Sequence, residues 1–203
     1  ENTLVVFIND NGGATSNYSE NNPLRGFKGS YWEGGIRTPF IMRWPGVIDA
    51  GSSYTQPVST LDLLPTALGA SQSEPIGKPL DGVDLLPFLK GDSNDRPHHY
   101  LYWRLWRVAA IRNGHWKLIR LKDDPLTENR KLLSPVILID LNKDPAETTN
   151  VADQNPEAVA HLLRKLEAWE SGLSEPRWYD GKDWPKWARI QVENHQIDAA
   201  GYE

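Results

Sequence analysis

One apolar run and the polar loop after it constrain the fold of this chain most. Residues 4–8 are Leu-Val-Val-Phe-Ile, a composition typical of a strand covered on both faces, as in parallel α/β sheets. The run stops at Asn9-Asp10-Asn11-Gly12-Gly13, and a polar, glycine-rich loop continues to about Gly35. A loop of this length inside a compact domain is usually either functional or disordered. The sequence therefore predicts an α/β sheet and makes the loop the first place to look for function.

A second strand and a helix are predicted further along the first half of the chain. Residues 38–44 form the predicted second strand. Residues 62–69 have helical spacing, with Thr60 as the predicted N-cap and Gly69 as the predicted C-cap. The polar stretch 91–97 is rich in residues that break secondary structure. We therefore predict a domain boundary there.

The second half of the chain has the pattern of a small α+β unit. Short strands are predicted at residues 99–103, 108–112, 116–121 and 136–141. Asn113-Gly114 is a strong hairpin signal between two of them. From Pro156 to Trp169, apolar residues recur on one face of a helix. Four antiparallel strands with one covering helix make a compact α+β arrangement.

These patterns divide the chain into three predicted parts: residues 1–95, residues 96–171, and an irregular, tryptophan-rich tail at residues 172–203. The tail either lines a sugar-binding surface or packs as a strap on the rest of the protein. We favour the strap, because tryptophan carries a large burial energy. The chain also opens on a strand without an initiator methionine or signal peptide. We therefore expect a fragment of a longer protein rather than a domain with a short leader.

Composition excludes several classes of partner and chemistry. The formal net charge is −5 and no Lys/Arg-rich run occurs, so we expect no nucleic-acid partner. Cysteine is absent, which excludes disulfides, thiolate metal sites and a cysteine nucleophile within these residues. No apolar run is long enough to cross a bilayer, so we expect no membrane span.

The neighbouring residues Asp10 and Asn11 are the strongest local signal for chemistry. They lie at the carboxyl end of the first predicted strand, where ligands bind in doubly wound sheets. A carboxylate beside a carboxamide offers hard oxygen donors, which suit Ca²⁺ or Mg²⁺ better than zinc. The alternative is an Asx-turn that only ends the strand. The residues alone leave both interpretations open.

Two basic residues in the loop, Arg25 and Lys28, are candidates for binding an anion. Lys28 lies in Gly26-Phe27-Lys28-Gly29, and a lysine between glycines can approach a tetrahedral anion as a point charge. The alternative is a lysine in a solvated loop. Two bases, several glycines and the Asp10-Asn11 strand end within one loop favour a combined anion and cation site.

Glu33 and the histidines are interpreted as structural. Glu33 could act as a base, but a buried pair with Arg37 that holds the loop explains it better. No histidine has a second ligand at metal-binding spacing, so we expect structural or exposed roles for all of them: His98, His99, His115, His161 and His195.

Several sequence blocks, in this order, resemble the C-terminal region of the formylglycine-dependent (type I) sulfatases of the alkaline-phosphatase-like superfamily. The likeness covers residues 4 to about 170, and the tail lies outside it. Each block alone is weak, but their order is specific. They are residues 5–13, residues 23–40 with Arg25-Gly26-Phe27-Lys28-Gly29 and Trp32-Glu33-Gly34-Gly35, Arg43-Trp44-Pro45-Gly46, residues 62–66, residues 80–85, residues 112–119 and residues 140–150.

The resemblance implies a fold and a partial active site. It implies an α/β chain in which residues 1–95 are the C-terminal part of a mixed catalytic sheet and residues 96–171 a small antiparallel subdomain. Asp10 and Asn11 would supply two oxygen ligands to a calcium ion completed by ligands outside this chain. Lys28 would contact the sulfate. Phe27 departs from the family's usual small residue and would narrow the loop, and Asn9 departs from serine or threonine.

The implied function is that of a sulfuric ester hydrolase, or sulfatase. The family's nucleophile, a formylglycine in a Cys/Ser-x-Pro/Ala-x-Arg motif, is absent from this chain, so we expect no turnover without the missing N-terminal region. The implied substrate is a sulfate ester, with a sulfated carbohydrate as one candidate, and the implied location is periplasmic or secreted. Two alternatives remain: a phosphomonoester or phosphonate hydrolase of the same superfamily, and a non-catalytic module that binds anions or carbohydrate.

Overall fold

The computed structural model describes residues 2–105, 108–121 and 135–174. These described residues form two compact units, one within the ranges Glu1–Ile8 and Pro39–His99 and the other within Asn9–Thr38 and Tyr100–Glu203. Helices and two sheets are present, so the predicted α/β class is confirmed. The loop at residues 9–38 thus belongs to the same compact unit as the C-terminal sheet. The division at residues 95 and 171 stays a prediction.

In the first unit, strands β1 (Val5–Ile8) and β2 (Phe40–Arg43) form an antiparallel ribbon. Phe7 pairs with Ile41, and the side chains of these residues are 59% and 58% exposed. The expectation that β1 is covered on both faces is therefore wrong within the described residues. An unbroken apolar run indicates that a strand needs cover but cannot show which segment provides it.

The N-cap of the helical part of the first unit lies one residue earlier than predicted. Ser59, in extended backbone, is the N-cap of the 3₁₀ turn Thr60–Asp62, and its hydroxyl accepts a hydrogen bond from the Leu61 N–H at 3.2 Å. Thr60 already lies within that turn, so the predicted N-cap is wrong. Helices α2 (Leu63–Ser71) and α3 (Leu86–Leu89) follow.

The predicted C-cap of α2 is also wrong, because Gly69 lies within the helix. The helix ends at Ser71, and its C-cap is Gln72, which adopts the left-handed conformation at φ 53°. A Cβ on Gly69 would overlap the carboxylate of Asp84. Close packing, rather than helix termination, therefore explains the glycine.

Asp62 holds the first unit together at several points. Its side chain is fully buried and accepts hydrogen bonds from the backbone N–H groups of Ser59 at 2.7 Å and Val83 at 3.0 Å. Nε2 of His98 lies 2.8 Å from the same carboxylate. One buried side chain thus joins a helix start, a loop and a later segment.

Replacing Asp62 with alanine should destabilise the first unit by about 2–4 kcal/mol, because buried donors would lose their acceptor. Urea unfolding followed by circular dichroism would measure this change. Ser71→Ala, which removes only exposed local hydrogen bonds, is the control and should have no measurable effect. A loss below about 1 kcal/mol for Asp62→Ala would contradict the role assigned to the carboxylate.

The second unit is built on a four-stranded antiparallel sheet in chain order. Its strands are β3 (Leu101–Leu105), β4 (Val108–Asn113), β5 (Trp116–Leu121) and β6 (Val136–Asp140). Asn113 pairs with Trp116 across the predicted hairpin, and Gly114 in its turn has φ 57°. The predicted sheet and hairpin are therefore confirmed.

Two different segments cover the two faces of this sheet. Helix α4 (Pro156–Glu170) packs on one face, as predicted, through a cluster that contains Ala109, Ile111, Leu118, Leu138, Leu162 and Leu166. The opposite face packs against Trp32, which is 1% exposed and precedes the short helix α1 (Glu33–Ile36). The loop from Asn9 to Thr38 therefore contributes to the core, which the sequence did not indicate.

Two sequence predictions concern the chain as a whole. Within the described ranges, no helix combines the length and apolar character needed to span a membrane. The tryptophans of the predicted strap lie beyond Ser174, outside the described residues, so the strap stays a prediction.

Candidate functional site

The two ends of the loop that follows β1 are held together by close backbone contacts. The Gly12 N–H donates a hydrogen bond to the Gly35 carbonyl at 3.0 Å. A Cβ on Gly12 would overlap the Gly34 carbonyl oxygen, and a Cβ on Gly34 would lie 2.5 Å from the Arg25 carbonyl oxygen. Glycine at these positions therefore permits the strand end and α1 to touch.

The segment that carries Lys28 is bound to the segment that carries Asp10 and Asn11. The Lys28 N–H donates to the Gly13 carbonyl at 3.0 Å. Asn21 strengthens this junction, because its Oδ1 accepts from the Gly13 N–H at 2.9 Å and its Nδ2 donates to the Gly13 carbonyl at 3.1 Å. Sequence reasoning missed Asn21, which gives no signal among the other polar loop residues.

The turn around Lys28 is shaped by glycines and a serine. Gly26 and Gly29 have φ 86° and 90°, which other residues adopt at a cost. The Ser30 hydroxyl accepts from the Phe27 N–H at 3.2 Å and donates to the Phe27 carbonyl at 2.9 Å. Lys28 is thus presented on a defined turn, with the Phe27 side chain beside it 42% exposed.

Asp10, Asn11 and Lys28 lie on this one loop with their functional atoms available. The side chains of Asp10 and Lys28 are exposed, and neither has a hydrogen bond or ion pair with another described residue. The Nδ2 of Asn11 donates to the Gly12 carbonyl at 2.9 Å, which leaves its Oδ1 as an acceptor. A carboxylate, an amide oxygen and an ammonium group are therefore carried by two segments whose backbones meet at Gly13.

These donors fit part of a calcium site rather than a complete one. Calcium takes about six to eight oxygen ligands, often with carboxylates among them. Among the described residues, no group of three or more His, Cys, Asp or Glu is placed to hold a metal ion. Asp10 and Asn11 thus have the right chemistry for a hard cation, and further ligands would be needed.

Arg25 has a structural role in the described chain. Its guanidinium carbon lies 4.2 Å from the centre of the Trp32 ring, and its Nη1 donates to the Glu147 carbonyl at 2.8 Å. These contacts join the loop to the turn after β6. They favour an anchoring role for Arg25 over the alternative of binding an anion.

Glu33 is buried as expected, but its hydrogen-bond partners are not the predicted Arg37. Glu33 is 2% exposed, and Arg37 is exposed. Its Oε1 accepts from Lys117 Nζ at 2.9 Å, and its Oε2 accepts from Arg112 Nη1 at 3.2 Å. Lys117 follows Glu33 by 84 positions, so no local spacing could reveal the pair.

A second buried carboxylate completes this cluster. Lys117 is fully buried on β5, and its Nζ lies 2.8 Å from Glu147 Oε1. Glu147, also fully buried, accepts the Glu33 N–H through Oε2. Burial favours a higher pKa for Glu33, but Lys117 and Arg112 outweigh it and hold that pKa below its usual value. For Glu147 burial prevails over Lys117, and the pKa is raised.

The described histidines take no part in this site. His98 is bound to the buried carboxylate of the first unit, and His161 shares a hydrogen bond of 2.9 Å with the Tyr100 hydroxyl. The ring of His115 lies against Trp116. His99 is exposed, and His195 is outside the described residues.

Comparison with known proteins gives a consistent family assignment. The family described as "N-sulphoglucosamine sulphohydrolase, C-terminal" matches residues 27–171. A sulfatase of Formosa agariphila is 33% identical over 83% of this chain and 33% of its own length. Arylsulfatase A of Homo sapiens is 33% identical over 85% of this chain and 38% of its own length. The crystal structure of Ps i-CgsB with k-i-k-neocarrahexaose matches with a TM-score of 0.73 and 30% identity, over 93% of this chain and 41% of that chain.

The fold, the loop and these matches define the class: the chain belongs to the sulfatase family. Within that family its match is to the C-terminal region of N-sulphoglucosamine sulphohydrolases. The chain spans about a third of the length of the curated relatives it matches.

Proposed function

We propose that this chain is the C-terminal part of a sulfuric ester hydrolase and supplies a sulfate contact and two calcium ligands. The observation that carries the proposal is the hydrogen bond from the Lys28 N–H to the Gly13 carbonyl. This bond fixes the turn that bears an ammonium group against the strand end that bears Asp10 and Asn11. A positive charge on one segment and hard oxygen donors on the segment bound to it suit an anionic ester.

Lys28 has the electrostatic role in this proposal. Negative charge on the transferred sulfuryl group and the departing alcohol oxygen is stabilised by positive groups that are already in place. The Lys28 ammonium group is proposed as one such charge, and the turn between Gly26 and Gly29 defines the position of its backbone. Asp10 and Asn11 would hold a calcium ion, which when bound adds positive charge at the sulfate.

Catalysis also requires groups that this chain lacks. No Cys/Ser-x-Pro/Ala-x-Arg motif occurs in a matching context, so the formylglycine would come from an N-terminal region. The open apolar face at Val5, Phe7 and Ile41 supports a need for further polypeptide, since large exposed apolar surfaces usually mark contacts. The chain alone is therefore proposed to have no turnover.

The proposed substrates are sulfate esters, with sulfated carbohydrates as the favoured class. Support comes from the structural relative solved with k-i-k-neocarrahexaose, which shares 30% identity with this chain. The proposed location is periplasmic or secreted, by resemblance to the family.

Lys28→Ala in the enzyme that contains this chain and its N-terminal region tests the function. We expect kcat/KM for an aryl sulfate to fall about a hundredfold, as for loss of one preorganised charge. Lys78→Ala, which removes an exposed lysine of the first unit, is the matched control and should leave kcat/KM unchanged. A fall below about threefold for Lys28→Ala would mean that the lysine is only solvated. Parallel assays with an aryl phosphate would reveal a phosphatase.

A further inference from the structure

Three buried charges from separate parts of the sequence meet beneath the loop. Glu33 comes from α1, Lys117 from the inner strand β5, and Glu147 from the turn after β6. Their side chains are 2%, 0% and 0% exposed. The Lys117 ammonium nitrogen lies 2.9 Å from one carboxylate and 2.8 Å from the other.

Stability alone is a weak reason for such a cluster. The free energy lost when charges are removed from water offsets much of the free energy gained from their attraction. Well-packed apolar side chains often stabilise a core equally well. A charge cluster instead favours one geometry, because each hydrogen bond depends on distance and angle. Here the Glu33 N–H also donates to Glu147, and Arg25 donates to the Glu147 carbonyl. Side-chain and backbone contacts thus fix α1 at one place on the sheet.

From α1, two short backbone connections lead to the functional residues. The Gly34 N–H donates to the Arg25 carbonyl at 2.7 Å, three residues before Lys28. The Gly35 carbonyl accepts from the Gly12 N–H at 3.0 Å, next to Asn11. These contacts are too close for a Cβ at Gly34. A shift of α1 would therefore move both flanks of the site.

We propose that Glu33, Lys117 and Glu147 are positioning residues that set the location of the Lys28 turn relative to the Asp10-Asn11 strand end. The proposal rests on the function proposed above and extends it to the C-terminal sheet. The buried cluster of Glu33, Lys117 and Glu147 holds α1, and with it the loop, in one position on the sheet. The side chains of all three residues are buried, so we expect their effect on turnover to pass through the placement of the Lys28 turn.

The opposite face of the same sheet provides a matched control. Arg120, also on β5, forms two hydrogen bonds of 2.7 Å with Glu170 at the end of α4. This pair joins the sheet to its helix, whereas the Glu33 cluster joins the sheet to the loop. Glu170→Gln and Glu33→Gln make the same chemical change on the two faces.

The test is a double-mutant cycle in the enzyme that contains this chain and its N-terminal region. Glu33→Gln should lower kcat/KM for an aryl sulfate about tenfold with Lys28 present, because small misplacement of a charge is costly. In the Lys28→Ala background the same change should cost less than about twofold, since the two residues act as one unit. Glu170→Gln should leave kcat/KM within about twofold. Equal effects of Glu33→Gln in both backgrounds, or no effect in either, would overturn the proposal.

Hydrogen exchange separates this proposal from the proposed function. Glu33→Gln should speed amide exchange at residues 26–30, whereas Glu170→Gln should speed it only in α4. If Lys28→Ala leaves activity intact, the sulfate role fails, and exchange at residues 26–30 still decides the positioning role. Unchanged amide exchange at residues 26–30 in Glu33→Gln would overturn the proposed positioning role.

A second variant covers the case in which Glu33→Gln does not fold. Glu147→Gln keeps an acceptor for the Glu33 N–H and is measured in the same way, with the same expected and opposing results.

Discussion

Under the proposed function, replacing Asp10 with alanine is expected to remove bound calcium and aryl sulfate hydrolysis together in the enzyme that contains this chain and its N-terminal region. Asp10 is the charged donor of the Asp10-Asn11 pair, and an amide oxygen alone binds a hard divalent ion weakly. Loss of the ion would remove several kcal/mol of charge stabilisation, so kcat/KM should fall about a thousandfold or more. Metal analysis after gel filtration in calcium-free buffer, together with the kinetic assay, measures both effects.

This experiment separates metal binding from folding stability, because the Asp10 carboxylate forms no hydrogen bond or ion pair with another described residue. Its removal should therefore leave the metal-free protein as stable as before. With excess chelator, the Tm of Asp10→Ala should equal that of the unmodified enzyme, and added calcium should raise only the latter. Asp92→Ala, a change at another exposed aspartate, is the control. Full calcium content and activity in Asp10→Ala would contradict the metal assignment.

The sequence predicted those parts of the fold that depend on local pattern. The short apolar runs on either side of the Asn113-Gly114 turn located β4 and β5 within about a residue, and the apolar stripe of α4 located its helix. Such elements are encoded by neighbouring residues, because side-chain period and turn geometry are local properties.

Features that depend on distant contacts could not be read in this way. Glu33 was expected to be buried, but its partners on β4 and β5 are set by how the loop crosses the sheet. The packing of Trp32 on the sheet and the role of Asn21 depend on the same path. Sequence spacing contains no information on which distant segments meet.

The candidate site was predicted only in part from the sequence. Asp10, Asn11 and Lys28 were singled out by residue type and by resemblance, and the structure brings their segments together through Gly13. Residue type could not predict the backbone contacts that hold the loop in place. These contacts depend on glycines whose missing Cβ atoms permit contact, as at Gly12.

Lys117→Met should have the largest effect on stability, destabilising the second unit by about 3–5 kcal/mol. Methionine fills similar space, but it leaves Glu33 and Glu147 buried without the ammonium group that lies between them. Urea unfolding of the chain at neutral pH measures the loss. Lys143→Met is the control, since Lys143 is 86% exposed and its ion pair with Asp140 should contribute little.

The loss should depend on pH in a direction fixed by the carboxylates. In the unmodified protein the pKa of Glu33 is lowered, so its contribution is present above the ordinary value of 4.5 and is lost as the pH falls through the folded pKa. The pKa of Glu147 is raised, so its contribution is present below 4.5 and is lost as the pH rises through the folded pKa. Lys117 lowers the pKa of both groups, and without it both carboxyls should bind protons more tightly.

The deficit of Lys117→Met should therefore be greatest near pH 7 and shrink as the pH is lowered toward about 4.5, where the two carboxyls can be neutral. Adding Glu147→Gln should recover part of the stability at pH 7, because one uncompensated buried charge is removed. Unfolding curves at several pH values for the single and double variants measure both the pH dependence of the deficit and its recovery. A deficit that is independent of pH, with no recovery in the double variant, would show that lost packing rather than charge explains the effect.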